Sequence, residues 1–289
     1  MRSINAFFLT LDVHAWLENS RHPRILHVFD HACNLINERR EVLSIVTPQI
    51  GNGPFNLVVD KDILFSEHLT AESPVAVNDN ELILGDLTIN KTNASLWNPC
   101  PDWKVLHGKR QEILDQLTQL QLTNYLVRGL DCLRLDHRGL SITRYQFSNS
   151  LISALANADL PSCITVAKQL AGLGQGLTPA GDDFMMGAIY AAWIIHPPEV
   201  AGVLAEEIAD TAAPLTTSLS AAWLRSAGKG EAGILWHEFF DALNSSDRAQ
   251  IQESMNKILD VGETSGADAL AGFIGSFVCW SEKAGISHG

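Results

Sequence analysis

The chain has 289 residues, of which 46% are hydrophobic and 18% are charged, as expected for a globular protein with a sizeable core. Its net charge of −13, with no basic run, argues against a nucleic-acid surface, and an anionic substrate would need a local positive group. The five cysteines include no Cys-x-x-Cys pair, which favours reduced thiols. Because neither a signal peptide nor a convincing membrane span is evident, we expect a cytoplasmic protein that binds no nucleic acid and no membrane.

The N-terminal part is predicted to hold one helix followed by several strands. Apolar residues at helical spacing predict the helix over residues 23–40. Short β-branched runs between turn-rich segments predict strands over residues 42–46, 55–59, 74–77, 82–84, 87–89 and 94–97. Strands this short with tight connections indicate an antiparallel sheet or small barrel. We place a domain boundary near residues 101–109.

The rest of the chain is predicted to be helical. Helical periodicity and helix punctuation predict helices over residues 111–130, 149–158, 161–171, 179–195, 199–211, 218–226, 234–243, 247–259 and 267–283. We therefore expect an α+β protein, in which a β-rich domain over residues 1–105 packs on a mainly α-helical domain over residues 106–289.

The segment GLGQGLTPAGDDFMMG, residues 172–187, has a composition unlike that of any other connection. Its first ten residues contain the glycines Gly172, Gly174, Gly176 and Gly181. Thr178 is placed to cap a helix that starts with Pro179. Asp182 and Asp183 then lie in the first helical turn, where negative charge is favourable. This combination predicts a ligand-binding loop at a helix start, and ordinary helix ends are the alternative interpretation.

A second segment repeats the same pattern. SGADALAGFI, residues 265–274, and AGDDFMMGAI, residues 180–189, both have the form small-G-x-D-x-x-x-G-x-I. If the two helices pack through their small residues, Asp183 and Asp268 would converge on one site, with Ser265 at the second helix start. Coincidence between two Gly/Ala-rich helices is the alternative.

A third helix start combines hydroxyl groups with cations. TTSLS places Thr217 and Ser218 at the start of a helix, and ordinary capping is sufficient to explain them. Arg225 and Lys229 follow near the end of that helix, and they are notable because cations are scarce in this part of the chain.

These three segments resemble the motifs of one bacterial family. GLGQGLTPAGDDFMMG is similar to the signature of domain of unknown function 2877, whose members are labelled carboxylases, and TTSLSAAWLRSAGKGE and GETSGADALAGFIG resemble its second and third motifs. One branch of that family is AllH, a subunit of the oxamate carbamoyltransferase of allantoin degradation. The resemblance implies transfer of a carbamoyl group between oxalurate and phosphate, with AllF-like and AllG-like partner subunits.

Carbamoyl transfer needs donors aimed at an oxyanion and a group that holds the substrate's negative charge. We predict that Asp182, Asp183 and Thr178 are catalytic. The predicted binding residues for a small anionic substrate or phosphate are Gly174, Gly176, Gly181, Thr217, Ser218, Arg225, Lys229, Ser265 and Asp268. Since carboxylates repel an anion, either Mg²⁺ bridges Asp182 and Asp183 to the substrate, or one aspartate is a general base. The candidate anion clamps are Arg225, Lys229 and Lys168.

Two other kinds of function are compatible with the same residues. The chain could be a non-catalytic subunit whose glycine loop docks a partner or holds a regulatory ligand. It could also be a stand-alone hydrolase or lyase that acts on a small carboxylate. The sequence contains no Ser-His-Asp or HExxH pattern that would select one reaction.

Overall fold

The computed structural model describes residues 2–120 and 141–283, and the chain forms two compact units. The first unit comprises Met1–Pro99 and Ala232–Ile234, and the second comprises Cys100–Glu231 and Leu235–Gly289. The first is built around a β-sheet and the second is helical, so the predicted α+β class is confirmed. Within the two described ranges, no helix has both the length and the apolar character that a membrane crossing requires.

The first unit contains a nearly closed, barrel-like sheet. Its strands are β1 (Arg2–Leu9), β2 (Arg24–Val28), β3 (Ala32–Ile36), β4 (Val42–Val46), β5 (Asn56–Val59), β6 (Val75–Val77), β7 (Glu81–Leu84), β8 (Leu87–Asn90) and β9 (Ser95–Leu96). The strand order is β2-β3-β4-β5-β1-β8-β7-β6, and β9 also pairs with β1. Neighbouring hairpins are antiparallel as predicted, but β1 is parallel to β8 and β9, and β4 is parallel to β5. The sheet is therefore mixed, because no tight turn constrains the direction of these pairs.

The helix predicted over residues 23–40 is wrong, because this stretch forms β2 and β3. The two strands pair with each other, and β3 pairs along its length with β4. A helix would have left β4 without that ladder of hydrogen bonds, so tertiary pairing overrides the local periodicity.

The helix of this unit lies earlier in the chain, at α1 (Leu11–Asn19). The hydroxyl of Thr10 caps it by accepting a hydrogen bond from the amide of Val13. Val13, Trp16 and Leu17 are buried at helical spacing and join the hydrophobic core of the sheet. The core thus selects a short helix that the sequence pattern alone did not reveal.

The second unit contains the remaining helices. These are α2 (Trp103–Gly108), α3 (Arg110–Gln119), α4 (Ser141–Ala156), α5 (Leu160–Leu170), α6 (Ala180–Ile195), α7 (Pro198–Ala212), α8 (Ser218–Gly228), α9 (Ile234–Ser245), α10 (Arg248–Leu259) and α11 (Ser265–Lys283). The helix predicted over residues 111–130 begins earlier, as α2 and α3, and residues 121–130 lie outside the described ranges. The other predicted helices are present, and most of their ends lie within a few residues of the predicted positions.

Helices α6 and α11, which carry the repeated sequence pattern, cross at their glycines. A Cβ atom on Gly187 would lie 1.7 Å from the carbonyl oxygen of Ala269, and one on Gly272 would lie 2.0 Å from the carbonyl oxygen of Phe184. Phe184 and Ala269 occupy equivalent positions in the two repeats, and so do Gly187 and Gly272. The crossing therefore has approximate two-fold symmetry, with the backbones in direct contact.

Three aromatic side chains donate hydrogen bonds to carbonyl oxygens at and just beyond the C-terminal end of α8. The indole N–H groups of Trp193 and Trp103 donate to the carbonyl oxygens of Ala227 and Gly230, at 3.0 Å and 2.7 Å. The hydroxyl of Tyr190 donates to the carbonyl oxygen of Glu231 at 3.1 Å. Since carbonyl groups at a helix end need such partners, these bonds fix α8 relative to α6 and so position the N-terminus of α8.

Candidate functional site

The glycine-rich loop connects α5 to α6 and is partly open to solvent. Gly174 has φ +136°, and a Cβ atom there would lie 2.6 Å from the amide nitrogen of Ala180, so no other residue fits. Gly176 has φ +91° and, with Gln175, is exposed. Within residues 2–120 and 141–283, nothing accepts a hydrogen bond from the amides of Gly174, Gln175, Gly176 or Leu177. The loop therefore presents a run of backbone donors to its surroundings.

The start of α6 differs in detail from the prediction. Pro179 is the cap residue, with no side-chain capping bond, and the helix begins at Ala180 rather than at Pro179. The side chain of Thr178 is directed elsewhere: its Oγ1 shares a hydrogen bond of 2.9 Å with Oγ of Ser265. Thr178 therefore links the loop to the first residue of α11.

Gly181 has a packing role in this arrangement. A Cβ atom there would lie 2.2 Å from the carbonyl oxygen of Leu170, at the end of α5. Its amide donates to the carbonyl oxygen of Leu173 at 2.8 Å. Gly181 thus allows the start of α6 to approach the preceding helix, and its predicted role in substrate binding stays a prediction.

Asp182 accepts hydrogen bonds from both the glycine-rich loop and the segment that precedes α8. Its Oδ1 accepts a hydrogen bond of 2.9 Å from the amide of Gly172, and its Oδ2 accepts one from the hydroxyl of Thr216. The residue is only 2% exposed. Burial raises the pKa of this carboxyl, while the bonds from Thr216 and Gly172 oppose the rise. Since both oxygens are engaged, Asp182 positions the loop.

Thr217 adds a second tie between the loop and α8. Its Oγ1 accepts a hydrogen bond of 3.1 Å from the amide of Ser220, which makes it the N-cap of α8. The same hydroxyl donates to the carbonyl oxygen of Leu177 at 2.6 Å. Ser218 is the first residue of α8 and is partly buried. The segment at Thr216–Thr217 therefore holds the loop from one side, as Ser265 does from the other.

Removal of the Thr217 hydroxyl should remove both the N-cap of α8 and the hydrogen bond to the Leu177 carbonyl. We expect Thr217→Ala to lower the free energy of unfolding by roughly 1–2 kcal/mol, the usual cost of losing an N-cap. We also expect faster hydrogen exchange in residues 174–178, because the Leu177 carbonyl loses its donor. Thr217→Ser keeps the hydroxyl and serves as the control. Urea unfolding and hydrogen-exchange measurements on the two variants test this prediction, and equal effects of the two substitutions would contradict the role of the hydroxyl.

Asp183 has surroundings quite unlike those of Asp182. It is 6% exposed, and its Oδ2 is buried with no hydrogen-bond partner among the described residues. The hydroxyls of Ser265 and Thr178 lie beside its carboxyl, and the fully buried Asp268 acts on it from the first turn of α11. Burial raises the pKa of Asp183 to about 8, and the negative charges of Asp268 and Asp182 add to the rise. The surroundings of Asp183 therefore favour its uncharged form.

The role of Asp182 and Asp183 as Mg²⁺ ligands stays a prediction. In residues 2–120 and 141–283, no three His, Cys, Asp or Glu side chains come together as metal ligands. Both oxygens of Asp182 already accept hydrogen bonds from the protein. A Mg²⁺ ion prefers oxygen ligands in a near-octahedral arrangement, so its binding here would require ligands besides the two aspartates.

The three candidate cations lie away from the loop or point into solvent. Arg225 and Lys229 are exposed near the C-terminal end of α8. Arg225 follows the cap residue Thr217 by eight positions, about 12 Å along a helix axis. Lys168 is exposed in the last turn of α5. Their predicted role as anion clamps stays a prediction, while the charges that act on Asp183 are both negative.

Thr216 is the residue of this site that sequence reasoning missed. Its hydroxyl is the donor to Asp182, and it precedes the predicted cap by one position. The cluster of hydroxyl residues at TTSLS is the only available signal, and it does not distinguish a helix cap from a distant contact. No local sequence pattern predicts the hydrogen bond between Thr178 and Ser265, because the two residues lie far apart in sequence.

Two protein-family models match this chain, one over the residues of the site and one over the residues of the sheet. A family model described as oxamate carbamoyltransferase subunit AllH matches residues 170–277, which include the loop, Thr216 and Asp268. A model for the AllH family N-terminal domain matches residues 5–96, which contain most of the sheet. No solved structure matches the chain. Since the two matches together cover most of its length, the chain belongs to the AllH family.

Proposed function

We propose that this chain is the AllH-type subunit of an oxamate carbamoyltransferase, and that the small substrate binds at the glycine-rich loop beside Asp183. The family match over residues 170–277 is the observation that carries this proposal, because it contains every residue of the site. The loop amides that have no acceptor among the described residues, and the unpaired Oδ2 of Asp183, support the location.

The reaction implied by the family has a simple balance of atoms. An oxygen of phosphate adds to the carbamoyl carbon of oxalurate, and the bond from that carbon to the oxamate nitrogen breaks. The proton of the phosphate ends on that nitrogen, so oxamate and carbamoyl phosphate are formed. Such a step needs donors placed where negative charge develops on the carbamoyl oxygen. The loop amides and the carboxyl group of Asp183 are the donors that this chain offers.

The substrate's own negative charge requires a cation that the described site does not place beside Asp183. The groups acting on Asp183 are acidic, whereas phosphate and oxamate are anions. We therefore propose that an AllF-like or AllG-like partner subunit contributes the positive side chains. This division of the site would make the isolated chain inactive and the complex active.

Reconstitution of the complex tests the proposed function. We expect carbamoyl phosphate formation from oxalurate and phosphate to require this chain together with its partner subunits. Gly174→Ala should reduce kcat/KM by on the order of 100-fold, because the added methyl group displaces the loop from the position in which it binds the substrate. Gly202→Ala is the matched control, since Gly202 lies in α7 with only ordinary contact to Trp193.

The possible results separate the proposal from its alternative. Turnover that does not need this chain would disprove the proposed function. If omission of the chain abolishes turnover but Gly174→Ala leaves it unchanged, the chain is a non-catalytic component and the loop is not the site.

A further inference from the structure

The site combines two features that a metal ligand or a general base does not explain. Asp183 is buried together with a second carboxyl group, Asp268, which the crossing of α6 and α11 brings to it. Its Oδ2 has no partner in the described ranges, although an orphaned buried oxygen is costly. Such a group points to a ligand that provides the missing hydrogen bond.

We propose that Asp183 is held as an uncharged carboxylic acid and that its Oδ2–H donates a hydrogen bond to an oxygen of the bound substrate. This inference rests on the proposed function and assigns the oxygen as that of the carbamoyl group. When the nucleophile adds to the carbamoyl carbon, the C=O bond becomes a C–O⁻ group that Asp183 stabilises. The proton stays on Asp183 throughout, and the C=O bond re-forms when the leaving group departs.

The electrostatics of the site agree with this role. Asp182 on its own helix and Asp268 on α11 are the charged groups, among the described residues, that act on Asp183. Burial disfavours a negative charge on Asp183 most, and the carboxyl groups of Asp268 and Asp182 add to this effect. Together they raise its pKa to about 8, against the hydrogen bonds from Ser265 and Thr178. A neutral carboxyl group can face an anionic substrate without repulsion and can donate to an oxyanion in an apolar setting.

The arrangement also explains why two adjacent aspartates are useful. Asp182 accepts hydrogen bonds from the loop and from Thr216, so its oxygens face the protein. The hydroxyls of Ser265 and Thr178 lie beside the carboxyl of Asp183, and its Oδ2 is buried with no hydrogen-bond partner among the described residues. One carboxyl is engaged by the loop, and the next one keeps an unpaired oxygen for the proposed hydrogen bond to the substrate.

Two substitutions distinguish a donor from a base or metal ligand in the reconstituted complex. Asp183→Asn keeps an N–H donor, and we expect it to retain activity within about 10-fold and to lose the decline of activity above pH 8. Asp183→Ala removes the donor and should lose about 100- to 1,000-fold, as when one oxyanion donor is deleted. The exposed Asp210 provides the control Asp210→Asn, which should behave as the wild type.

The charge state can be read without turnover. Infrared difference spectra of the full-length chain, wild type minus Asp183→Asn, should contain the C=O stretch of a protonated carboxylic acid at pH 6.5 and lose it at pH 9.5. Absence of that band at pH 6.5, or an Asp183→Asn variant as inactive as Asp183→Ala, would overturn the inference. Activity that rises with pH through 8 would also overturn it, because a general base gains activity when it ionises. If turnover does not need this chain, the proposed function and the donor role resting on it both fail, and the band still reports whether Asp183 is uncharged.

Discussion

Gly187→Ala and Gly272→Ala are each expected to destabilise the helical unit strongly. The added methyl group would lie 1.7 Å or 2.0 Å from a backbone carbonyl oxygen of the opposing helix, and a backbone atom cannot rotate away as a side chain can. Helices α6 and α11 must therefore separate and lose packing along their buried faces. We expect a loss of at least about 3 kcal/mol, the upper part of the range for overpacked cores. For a unit of this size that corresponds to a fall in Tm of roughly 6–12 °C.

Thermal unfolding of the two variants beside Gly202→Ala provides the measurement. Gly202 lies within a helix, and a Cβ atom there would lie 3.4 Å from the nearest atom, in the ring of Trp193. Alanine therefore fits at this position without a clash. The better helix propensity of alanine should leave that control unchanged or more stable by up to about 1 kcal/mol. Similar Tm values for all three proteins would show that α6 and α11 do not touch.

The stability advantage of Asp183→Asn over the wild type is expected to grow as the pH rises. The pKa of Asp183 lies near 8 in the folded protein and near 3.8 in an unfolded chain. Between these values the folded state retains a proton that the unfolded state releases, so stability falls as pH rises from about 4 to about 8. The total loss is on the order of 5 kcal/mol for a shift of this size. Asparagine has no proton to lose and removes this dependence.

Urea unfolding at several pH values between 4.5 and 9 tests the prediction. The difference in free energy of unfolding between Asp183→Asn and the wild type should grow steadily up to pH 8 and then level off. Asp210→Asn, which makes the same substitution at an exposed position of α7, serves as the control. Parallel profiles for the wild type and Asp183→Asn would mean that Asp183 is ionised in the folded protein.

The two predictions describe one arrangement. The close crossing at Gly187 and Gly272 brings the first turns of α6 and α11 together, and with them two carboxyl groups that repel each other when both are charged. A buried acid that lowers stability at neutral pH is a common property of functional sites. The cost in stability at Asp183 is therefore consistent with a residue retained for its chemistry.

Local signals predicted part of the fold accurately. The β-branched run at residues 42–46 coincides with β4, and the helix starts predicted at residues 218 and 234 coincide with those of α8 and α9. These elements depend on periodicity, capping and turn residues that lie within a few positions of one another. The helix prediction for residues 23–40 failed because their apolar spacing fits a helix and a hairpin alike. Only pairing with the partner strand β4 decides between the two.

The amino-acid sequence by itself determined where the loop and the two Gly-x-Asp helix starts lie, because glycine, proline and first-turn aspartates act within their own segment. Only the tertiary structure decided that Asp182 and Asp183, identical in type and adjacent in the chain, have different surroundings. Asp182 meets Thr216 and Gly172, while Asp183 meets Ser265, Thr178 and Asp268. The charge of a carboxyl group depends on the dielectric and the charges around it, and these come from residues far away in sequence.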